Sequence, residues 1–209
     1  MTRELDAAHW GSLFASPLLE HVWAEAGALN DALRDSILQH AAAHPGEERS
    51  NLGGWHSETG GLEFCGAAGE RLIQWIGAMT EEATFRLYRQ YGRPQEALNW
   101  SLSAWANVNQ PGHGNNVHTH PGATWSGVYY VDDGGTDGAG EATAIQFADP
   151  NPVRTNLFFP DLLNAALRFQ PRPGLMILFP SYLPHSVPAH RGTRARISVA
   201  FNVRKDPFP

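Results

Sequence analysis

The chain has 209 residues, 42% of them hydrophobic, with a formal net charge of −6 and a single cysteine, Cys65. This size and apolar content predict one domain with a substantial core. The negative charge, with no Lys or Arg run interleaved with aromatic residues, argues against nucleic acid as a ligand. One cysteine excludes an internal disulfide and a thiolate zinc cluster, and we expect Cys65 to be a packed residue rather than a catalytic thiol.

The N-terminal residues lack the charged-then-apolar pattern of a signal peptide. No apolar stretch approaches the roughly 18 to 20 residues that a membrane-spanning helix needs. We therefore expect a cytoplasmic protein with no membrane partner.

Two amphipathic helices are predicted in the first 95 residues, because apolar residues recur there at three- and four-residue steps. The first follows Pro17 and has its apolar positions at Leu18, Leu19, Val22, Ala26, Leu29, Leu33, Ile37 and Ala41. The second has its apolar positions at Leu72, Ile73, Ile76, Met79, Ala83, Leu87 and Tyr91. It is predicted to end at Gly92, with Pro94 beyond it.

A polar, glycine-rich loop at residues 50–57 separates the two helices. Loops of this kind often carry binding residues, but many are packed connectors. The presence of Trp55 fits either a lid over a substrate or a connector, and both interpretations stay open.

From residue 99 the apolar period changes from helical to alternating, which predicts β-strands. One face of the first strand is apolar, with Leu102, Ala104, Ala106 and Val108. Its other face holds Ser103, Trp105, Asn107 and Asn109, which are possible neighbours of a site. Further strands are predicted at residues 117–120, 124–131, 143–147, 174–179, 185–188 and 194–203, separated by turns such as residues 132–140.

Many short strands with regular turn signals predict an α+β, mainly β, protein built as a double-sheet jelly roll. The N-terminal helices are expected to pack on one sheet. Residues 99–205 form the predicted jelly-roll core and residues 1–95 the mostly helical cover, within a single domain of residues 1–209.

A candidate metal site is indicated by His118-Thr-His120 together with the distant His185. Residues two apart in a strand project from the same face, so His118 and His120 can point at one ion. A third imidazole from a distant strand would complete one face of the coordination sphere and leave positions open for water, oxygen and an organic acid, as in non-haem iron oxygenases.

The last predicted strand carries a second signal. Ile197, Val199, Phe201 and Val203 share one parity, which predicts a buried face. The other parity holds Arg194, Arg196, Ser198, Ala200 and Asn202, which suits the lining of a polar pocket. An arginine on that face can bind a carboxylate through two parallel hydrogen bonds.

Four sequence blocks, in this order and spacing, resemble the 2-oxoglutarate- and Fe(II)-dependent oxygenases of prolyl-hydroxylase-like type. They are NVHTHPGATWSGVYY at 116–130, FADP at 147–150, LFPSYLPH at 178–185 and RISVAFN at 196–202. The resemblance covers roughly the C-terminal half of the chain. It implies a double-stranded β-helix, the cupin-like jelly-roll barrel, with Fe(II) as cofactor and 2-oxoglutarate as cosubstrate.

The resemblance also assigns roles to individual residues. His118 matches the first iron ligand and His185 the distal histidine, while Arg196 and Ser198 match the pair that anchors the far carboxylate of 2-oxoglutarate. Arg194 is the alternative anchor. Tyr130, or less readily its neighbour Tyr129, is expected to add a hydroxyl, and because neighbours on a strand face opposite sides only one of them can.

One ligand departs from the usual pattern of these oxygenases. His120 stands where most of them have Asp or Glu, which removes one negative charge from the iron site. A carboxylate from elsewhere, with Asp149 as the nearest candidate, could join the iron instead; as a simple alternative, Asp149-Pro150 makes a turn.

The leading hypothesis is therefore a 2-oxoglutarate-dependent dioxygenase that hydroxylates a small-molecule or peptide substrate. Two alternatives stay open. One is a three-histidine cupin-type dioxygenase that works without 2-oxoglutarate, with Arg196 binding the substrate's own carboxylate. The other is a non-enzymatic jelly-roll module that binds a metal or ligand.

Overall fold

A computed structural model describes residues 15–95, 99–135, 143–151, 153 and 166–205. Within these residues the α-helices are α1 (Ala26–Ala43) and α2 (Gly66–Gln90), the latter preceded by a 3-10 turn at Glu63–Cys65. The strands are β1 (Leu19–Val22), β2 (Asn51–Leu52), β3 (Trp55–His56), β4 (Trp100–Asn109), β5 (Gly114–His118), β6 (Trp125–Asp132), β7 (Ile145–Phe147), β8 (Leu167–Phe169), β9 (Leu175–Pro180), β10 (His185–Val187) and β11 (Arg196–Lys205).

The strands form two antiparallel sheets. The larger, sheet A, has the order β1-β9-β6-β11-β4-β3, and the smaller, sheet B, has the order β2-β5-β10-β7-β8. Each predicted strand of the C-terminal half is present, with boundaries shifted by a few residues. Part of the predicted turn at 132–140, residues 136–140, lies outside the described residues.

The predicted class, mainly β with two sheets and two helices, is confirmed, but the predicted barrel closure is wrong. Among the described strands, none of sheet A pairs with one of sheet B, so each sheet keeps its own edges. The two layers instead face each other as a sandwich that is open at its sides. That one domain spans residues 1–209 stays a prediction.

The first predicted helix begins later than expected. The apolar pattern from Leu18 suggested continuous helix, but Leu19–Val22 forms β1, which pairs with β9 in the register Leu19↔Leu178. Without β1, β9 would be an edge strand with unpaired backbone groups, and this pairing satisfies them. Helix α1 then starts at Ala26 and buries Asn30, Leu33 and Ile37 on one side.

The loop predicted at residues 50–57 contains two short strands. Asn51 pairs with Asn115 of β5 in sheet B, whereas His56 pairs with Asn107 of β4 in sheet A. The backbone of this segment is hydrogen-bonded into both layers, which fits the packed connector better than a free lid. The strand β8 was not predicted from the sequence.

Two apolar clusters hold the layers together. The larger lies between the helices and sheet A and includes Leu33, Leu72, Ile76 and Phe201, each at most 1% exposed. Cys65 belongs to this cluster, and burial raises the pKa of its thiol to about 12, as expected for a packed residue. The smaller cluster lies between the sheets. The rings of its members Phe147 and Phe179 lie beside the His185 ring, and a third member, Leu183, precedes His185 by two residues.

In the part of the chain that is described, no helix is long and apolar enough to cross a membrane.

Candidate active site

Three histidines meet between the two sheets. His118 is the last residue of β5 and pairs directly with His185, the first residue of β10. His120 lies two residues beyond the end of β5, and its backbone N–H donates to the Ser181 carbonyl at 2.9 Å. One ring nitrogen of each histidine lies within 4.8 Å of the others, a spacing that one metal ion can bridge.

Hydrogen bonds orient two of the three imidazoles. His118 Nδ1 lies 2.7 Å from the Asn116 carbonyl, and His185 Nδ1 lies 2.9 Å from the Leu183 carbonyl. Because a carbonyl only accepts, each Nδ1 carries the proton and each Nε2 keeps its lone pair. This is the arrangement that metal-binding histidines use, with the second nitrogen held by a backbone acceptor.

His120 is oriented through a side chain. Its Nδ1 lies 3.4 Å from Asn202 Nδ2, and the Asn202 amide oxygen accepts a hydrogen bond from Ser126 Oγ at 2.7 Å. Asn202 and Ser126 are paired residues on β11 and β6. The position of the His120 ring therefore depends on the central strands of sheet A, although the residue itself follows a strand of sheet B.

Burial keeps His120 and His185 neutral. It lowers the pKa of His120 to about 3, with the neighbouring His185 and His118 adding to the shift, and it lowers the pKa of His185 to about 4. Both rings are therefore uncharged near neutral pH, which is the form that binds a metal.

Asp149 is not part of the cluster of possible metal ligands found among the described residues. Its Oδ1 accepts a hydrogen bond from the Asn151 N–H at 2.9 Å. This is the arrangement of a turn, which was the simpler of the two interpretations made from the sequence.

At the other end of the site, Arg196 is 2% exposed and has no carboxylate partner among the described residues. Its Nη1 donates to the Thr143 carbonyl at 3.2 Å, while its Nε has no hydrogen-bond partner there. Burial lowers the pKa of this guanidinium from its ordinary value, although that value is high enough to leave it charged at neutral pH. Burying a cation with an unused hydrogen-bond donor is unfavourable in free energy unless an anion neutralises the charge and accepts the hydrogen bond.

Two polar side chains accompany Arg196. Ser198 is 5% exposed and Tyr130 is 2% exposed, and the two are paired across β11 and β6. Burial raises the pKa of Tyr130 to about 12, against an opposing effect of Arg196, so its hydroxyl is neutral and able to donate. Both line the same cavity as Arg196.

The structure does not bring the alternative candidates to this cavity. Tyr129 faces the helices, where its hydroxyl donates to Asn30 Oδ1 at 2.6 Å. Arg194 precedes β11, and its side chain is 63% exposed with Nη2 3.2 Å from Asp132 Oδ1. The alternation of β11 had assigned Arg194 to the pocket face, but the strand begins only at Arg196, so the alternation does not extend to it.

A single cavity of about 370 Å³ joins the histidine cluster to Arg196. Trp105 and Asn107, predicted as neighbours of a site, line it, whereas Asn109 is buried without lining it. The Trp105 ring centroid lies 5.8 Å from that of His120. The volume falls in the range of small-molecule sites and can hold a dicarboxylate beside part of a second molecule.

Sequence reasoning missed two residues at this site. His56 lines the cavity and stacks on Trp105 with ring centroids 5.6 Å apart. Ser50 also lines it, with Oγ 3.4 Å from His118 Nε2. Their segment showed no periodicity, so the only available signal was the presence of polar residues in a glycine-rich stretch.

The part of the sequence that carries this site is similar to a known protein family. Residues 103–202 match the model of a family described as "Putative 2OG-Fe(II) oxygenase". The chain resembles the 2OG-Fe(II) oxygenases. The matched segment includes the three histidines, Arg196 and Ser198, so the resemblance expected from the sequence is confirmed for the half of the chain that carries the site. No curated protein matches the sequence.

Solved structures show the same fold at low identity. A Pseudomonas putida prolyl-4-hydroxylase is 15% identical with a TM-score of 0.62, covering 92% of this chain and 95% of that chain. The carbocyclase SnoK from nogalamycin biosynthesis is 11% identical with a TM-score of 0.61, covering 91% and 80%. A Trichoplax adhaerens prolyl hydroxylase, solved with a hypoxia inducible factor peptide fragment, is 13% identical with a TM-score of 0.59, covering 90% and 83%.

The oxygenase family implies Fe(II) and 2-oxoglutarate as cofactor and cosubstrate. The residues present fit both groups. Three imidazoles with ring nitrogens within 4.8 Å of one another are suitable ligands for iron, and the unused Nε of a buried guanidinium is a suitable donor to a carboxylate. The family match and the cluster together support an oxidoreductase of the oxygenase type.

Proposed function

We propose that this protein is an Fe(II)- and 2-oxoglutarate-dependent dioxygenase that hydroxylates a small-molecule or peptide substrate. The observation that carries the proposal is the presence, in one cavity, of a three-histidine cluster and a buried arginine without a carboxylate partner among the described residues. Neither half alone would be specific, but together they match the two ends of a metal-bound dicarboxylate.

In this proposal His118, His120 and His185 hold the iron. Arg196 binds the far carboxylate of 2-oxoglutarate through its fork of N–H donors, and Ser198 and Tyr130 add hydroxyl donors to the same carboxylate. When bound, Fe(II) and 2-oxoglutarate supply oxidative hydroxylation by dioxygen, with succinate and carbon dioxide as co-products.

The protein's own contribution is positioning and exclusion of water. The apolar side chains of Val128, Ile145 and Phe179 line the same cavity as Arg196 and the three histidines. An apolar wall strengthens the interaction of Arg196 with an anion, because less water screens the charges.

Two alternatives predict different outcomes. A three-histidine dioxygenase without 2-oxoglutarate would use oxygen and form no succinate. A non-enzymatic module would need a closed shell of four or more protein ligands if it held a metal. The cluster found among the described residues has three, which favours an open coordination sphere and thus the oxygenase.

The first experiment measures iron binding by the metal-free protein and by a His185→Ala variant. The wild type should bind one Fe(II), and the variant should lose it because a neutral ligand is removed from a three-ligand site. His44→Ala is a matched control, since His44 lies outside the cluster. Iron retained by His185→Ala would contradict the proposed ligand set.

The second experiment follows 2-oxoglutarate and succinate during oxygen consumption by the iron-loaded protein. Succinate formed in proportion to oxygen supports the proposal. Oxygen consumption without succinate would instead favour the dioxygenase that needs no 2-oxoglutarate.

A further inference from the structure

Four paired residues form a polar row across sheet A on the cavity face. Tyr130 pairs with Ser198, Ser198 pairs with Asn107, and Asn107 pairs with His56. Because the pairs lie directly opposite one another on β6, β11, β4 and β3, neighbouring Cβ atoms are about 4.5–5.5 Å apart on the same face. All four residues line the cavity. The first two belong to the proposed cosubstrate end, which leaves His56 and Asn107 without a role.

His56 presents a hydrogen-bond acceptor to the cavity. Its Nδ1 lies 2.5 Å from the Ser57 carbonyl, so Nδ1 carries the proton and Nε2 holds the lone pair. The ring is 4% exposed and stacks on Trp105 with an interplanar angle of 16°, which fixes its orientation. Nε2 makes no hydrogen bond with any described residue.

Asn107 presents the complementary groups beside it. The side chain is 8% exposed and makes no hydrogen bond with any described residue, so its amide N–H and C=O are both available. Neither amide atom is among the fully buried polar atoms without a partner, so both are accessible from the cavity that Asn107 lines. A ligand group that both donates and accepts would satisfy the two side chains together.

We propose that His56 and Asn107 form a subsite for amide groups of the primary substrate, with a substrate N–H donating to His56 Nε2 and a C=O on the same side of the substrate accepting from Asn107 Nδ2. In an extended peptide these are the N–H and C=O of one residue, and in a primary amide they belong to one group. The subsite's part in turnover rests on the proposed function. It is close to the histidine cluster, because the Trp105 ring centroid is 5.6 Å from that of His56 and 5.8 Å from that of His120. The indole also gives the substrate an apolar surface next to the amide.

An amide fits this subsite better than a carboxylate does. A carboxylate has no proton to donate and would place negative charge against the His56 lone pair. Burial lowers the pKa of His56, which keeps the ring neutral and removes the attraction that a protonated imidazole would offer to an anion. Arg49, which also lines the cavity, is held by Glu47, with Nη2 and Oε2 2.9 Å apart.

Nuclear magnetic resonance of the full chain labelled with 15N-histidine tests the subsite with model amides. The probes are N-acetyl-alanine methylamide, which represents a peptide bond, and benzamide, which represents a small-molecule amide. A fully N-methylated form of each probe is the matched control, because it keeps the C=O and loses the N–H. We expect saturable shifts of the His56 Nε2 signal with the amides and about tenfold weaker binding of the controls.

Variants separate the two side chains. His56→Phe keeps an aromatic ring and should lose probe binding, while His56→Gln keeps an acceptor and should retain part of it. Asn107→Leu should weaken binding of the amides about tenfold. The probe that binds more tightly tells whether the substrate amide belongs to a peptide or to a small molecule.

The outcomes distinguish this subsite from the proposed function. Equal binding of the amides and their N-methylated forms, or no shift with either amide, would overturn the subsite. Weakened 2-oxoglutarate binding in His56→Phe, with amide binding unchanged, would overturn it too by assigning the residue to the cosubstrate end. Amide binding at His56 by a chain that forms no succinate would refute the dioxygenase and keep the subsite as a binding site.

Discussion

The two faces of β11 differ sharply in their chemistry. Toward the helices, Ile197, Val199, Phe201 and Val203 are at most 2% exposed within the larger apolar cluster. Toward the cavity, Arg196, Ser198, Ala200 and Asn202 line the proposed site. Since successive residues of a strand point to opposite sides, one ten-residue strand serves both the core and the site.

The two faces of this strand separate stability from binding. The helix side of β11 presents apolar side chains to the larger cluster, so its contribution should appear in the free energy of unfolding. The cavity side holds polar groups with few partners, so its contribution should appear in ligand affinity. Changes on one face should therefore leave the property of the other face nearly unaltered, and four predictions test this separation.

The largest effect is expected for Phe201→Ala on the helix side. Removing a fully buried phenyl ring should lower the free energy of unfolding by about 3–5 kcal/mol. Urea denaturation measures the change. Below the transition the folded variant should bind Fe(II) as the wild type does, and a parallel loss of iron affinity would show that the two faces are coupled.

The second effect is expected for Arg196→Met on the cavity side. Methionine keeps much of the volume but removes the cation, so the affinity for 2-oxoglutarate should fall by about 2–5 kcal/mol, or roughly 30-fold and more. Calorimetric titration of 2-oxoglutarate into the metal-loaded protein measures this. Stability should be unchanged or raised, because a buried charge without a carboxylate partner is removed.

Arg194→Met is the matched control for that variant. Arg194 is exposed and paired with Asp132 two positions before Arg196, so 2-oxoglutarate affinity should stay at the wild-type value. A loss in Arg194→Met equal to that in Arg196→Met would contradict the assignment of the anchor.

A smaller effect is expected for Asn202, which contacts His120 Nδ1. If His120 binds the metal through Nε2, its Nδ1 carries a proton and needs an acceptor, so the Asn202 amide oxygen must turn toward it. Asn202→Leu should then weaken Fe(II) binding about 10- to 100-fold, whereas Asn202→Asp keeps an acceptor and should bind at least as tightly. Equal affinities in all three proteins would exclude this orienting role.

The smallest expected effect is the dependence of the protein's stability on pH. The pKa values of His120, about 3, and His185, about 4, lie below the ordinary value of 6.5. At pH values between the folded pKa values and 6.5, these two histidines bind more protons in the unfolded chain than in the folded one. The metal-free protein should therefore lose stability as the pH falls from 6.5 toward 4. The slope is at most about 1.4 kcal/mol per pH unit for each proton. Urea denaturation at several pH values should show a shallower slope for His120→Gln, and an unchanged slope would contradict the pKa shift.

The sequence predicted the parts of the fold whose periodicity is strong. In β4 and β11 the alternation is uninterrupted, and the structure buries Val108 and Phe201 on one side while Asn107 and Ser198 face the cavity. The three histidines could also be predicted to meet, because two are close in sequence and the third follows the order of a known family.

The parts of the fold and of the site that could not be predicted depend on pairings between segments that are distant in the sequence. Residues Leu19–Val22 form a strand only because β9 offers an unpaired edge. His56 reaches the cavity only because β3 pairs with β4, which nothing in its neighbouring residues indicates. Arg194 was misassigned to the cavity face because the alternation was extended beyond the first residue of the strand.

The segment from Leu52 to Trp55 joins a strand of one sheet to a strand of the other through two glycines, Gly53 and Gly54, with φ of 66° and 67°. Both glycines are in the left-handed region, and the Asn51 side chain donates from Nδ2 to their carbonyls at 3.2 and 3.1 Å, so the chain curls around this amide. A side chain at Gly53 would meet His113, and one at Gly54 would meet Asn109. The bend therefore acts as a fixed corner piece, and replacing either glycine should displace the neighbouring cavity residue His56 without altering any group that lines the cavity.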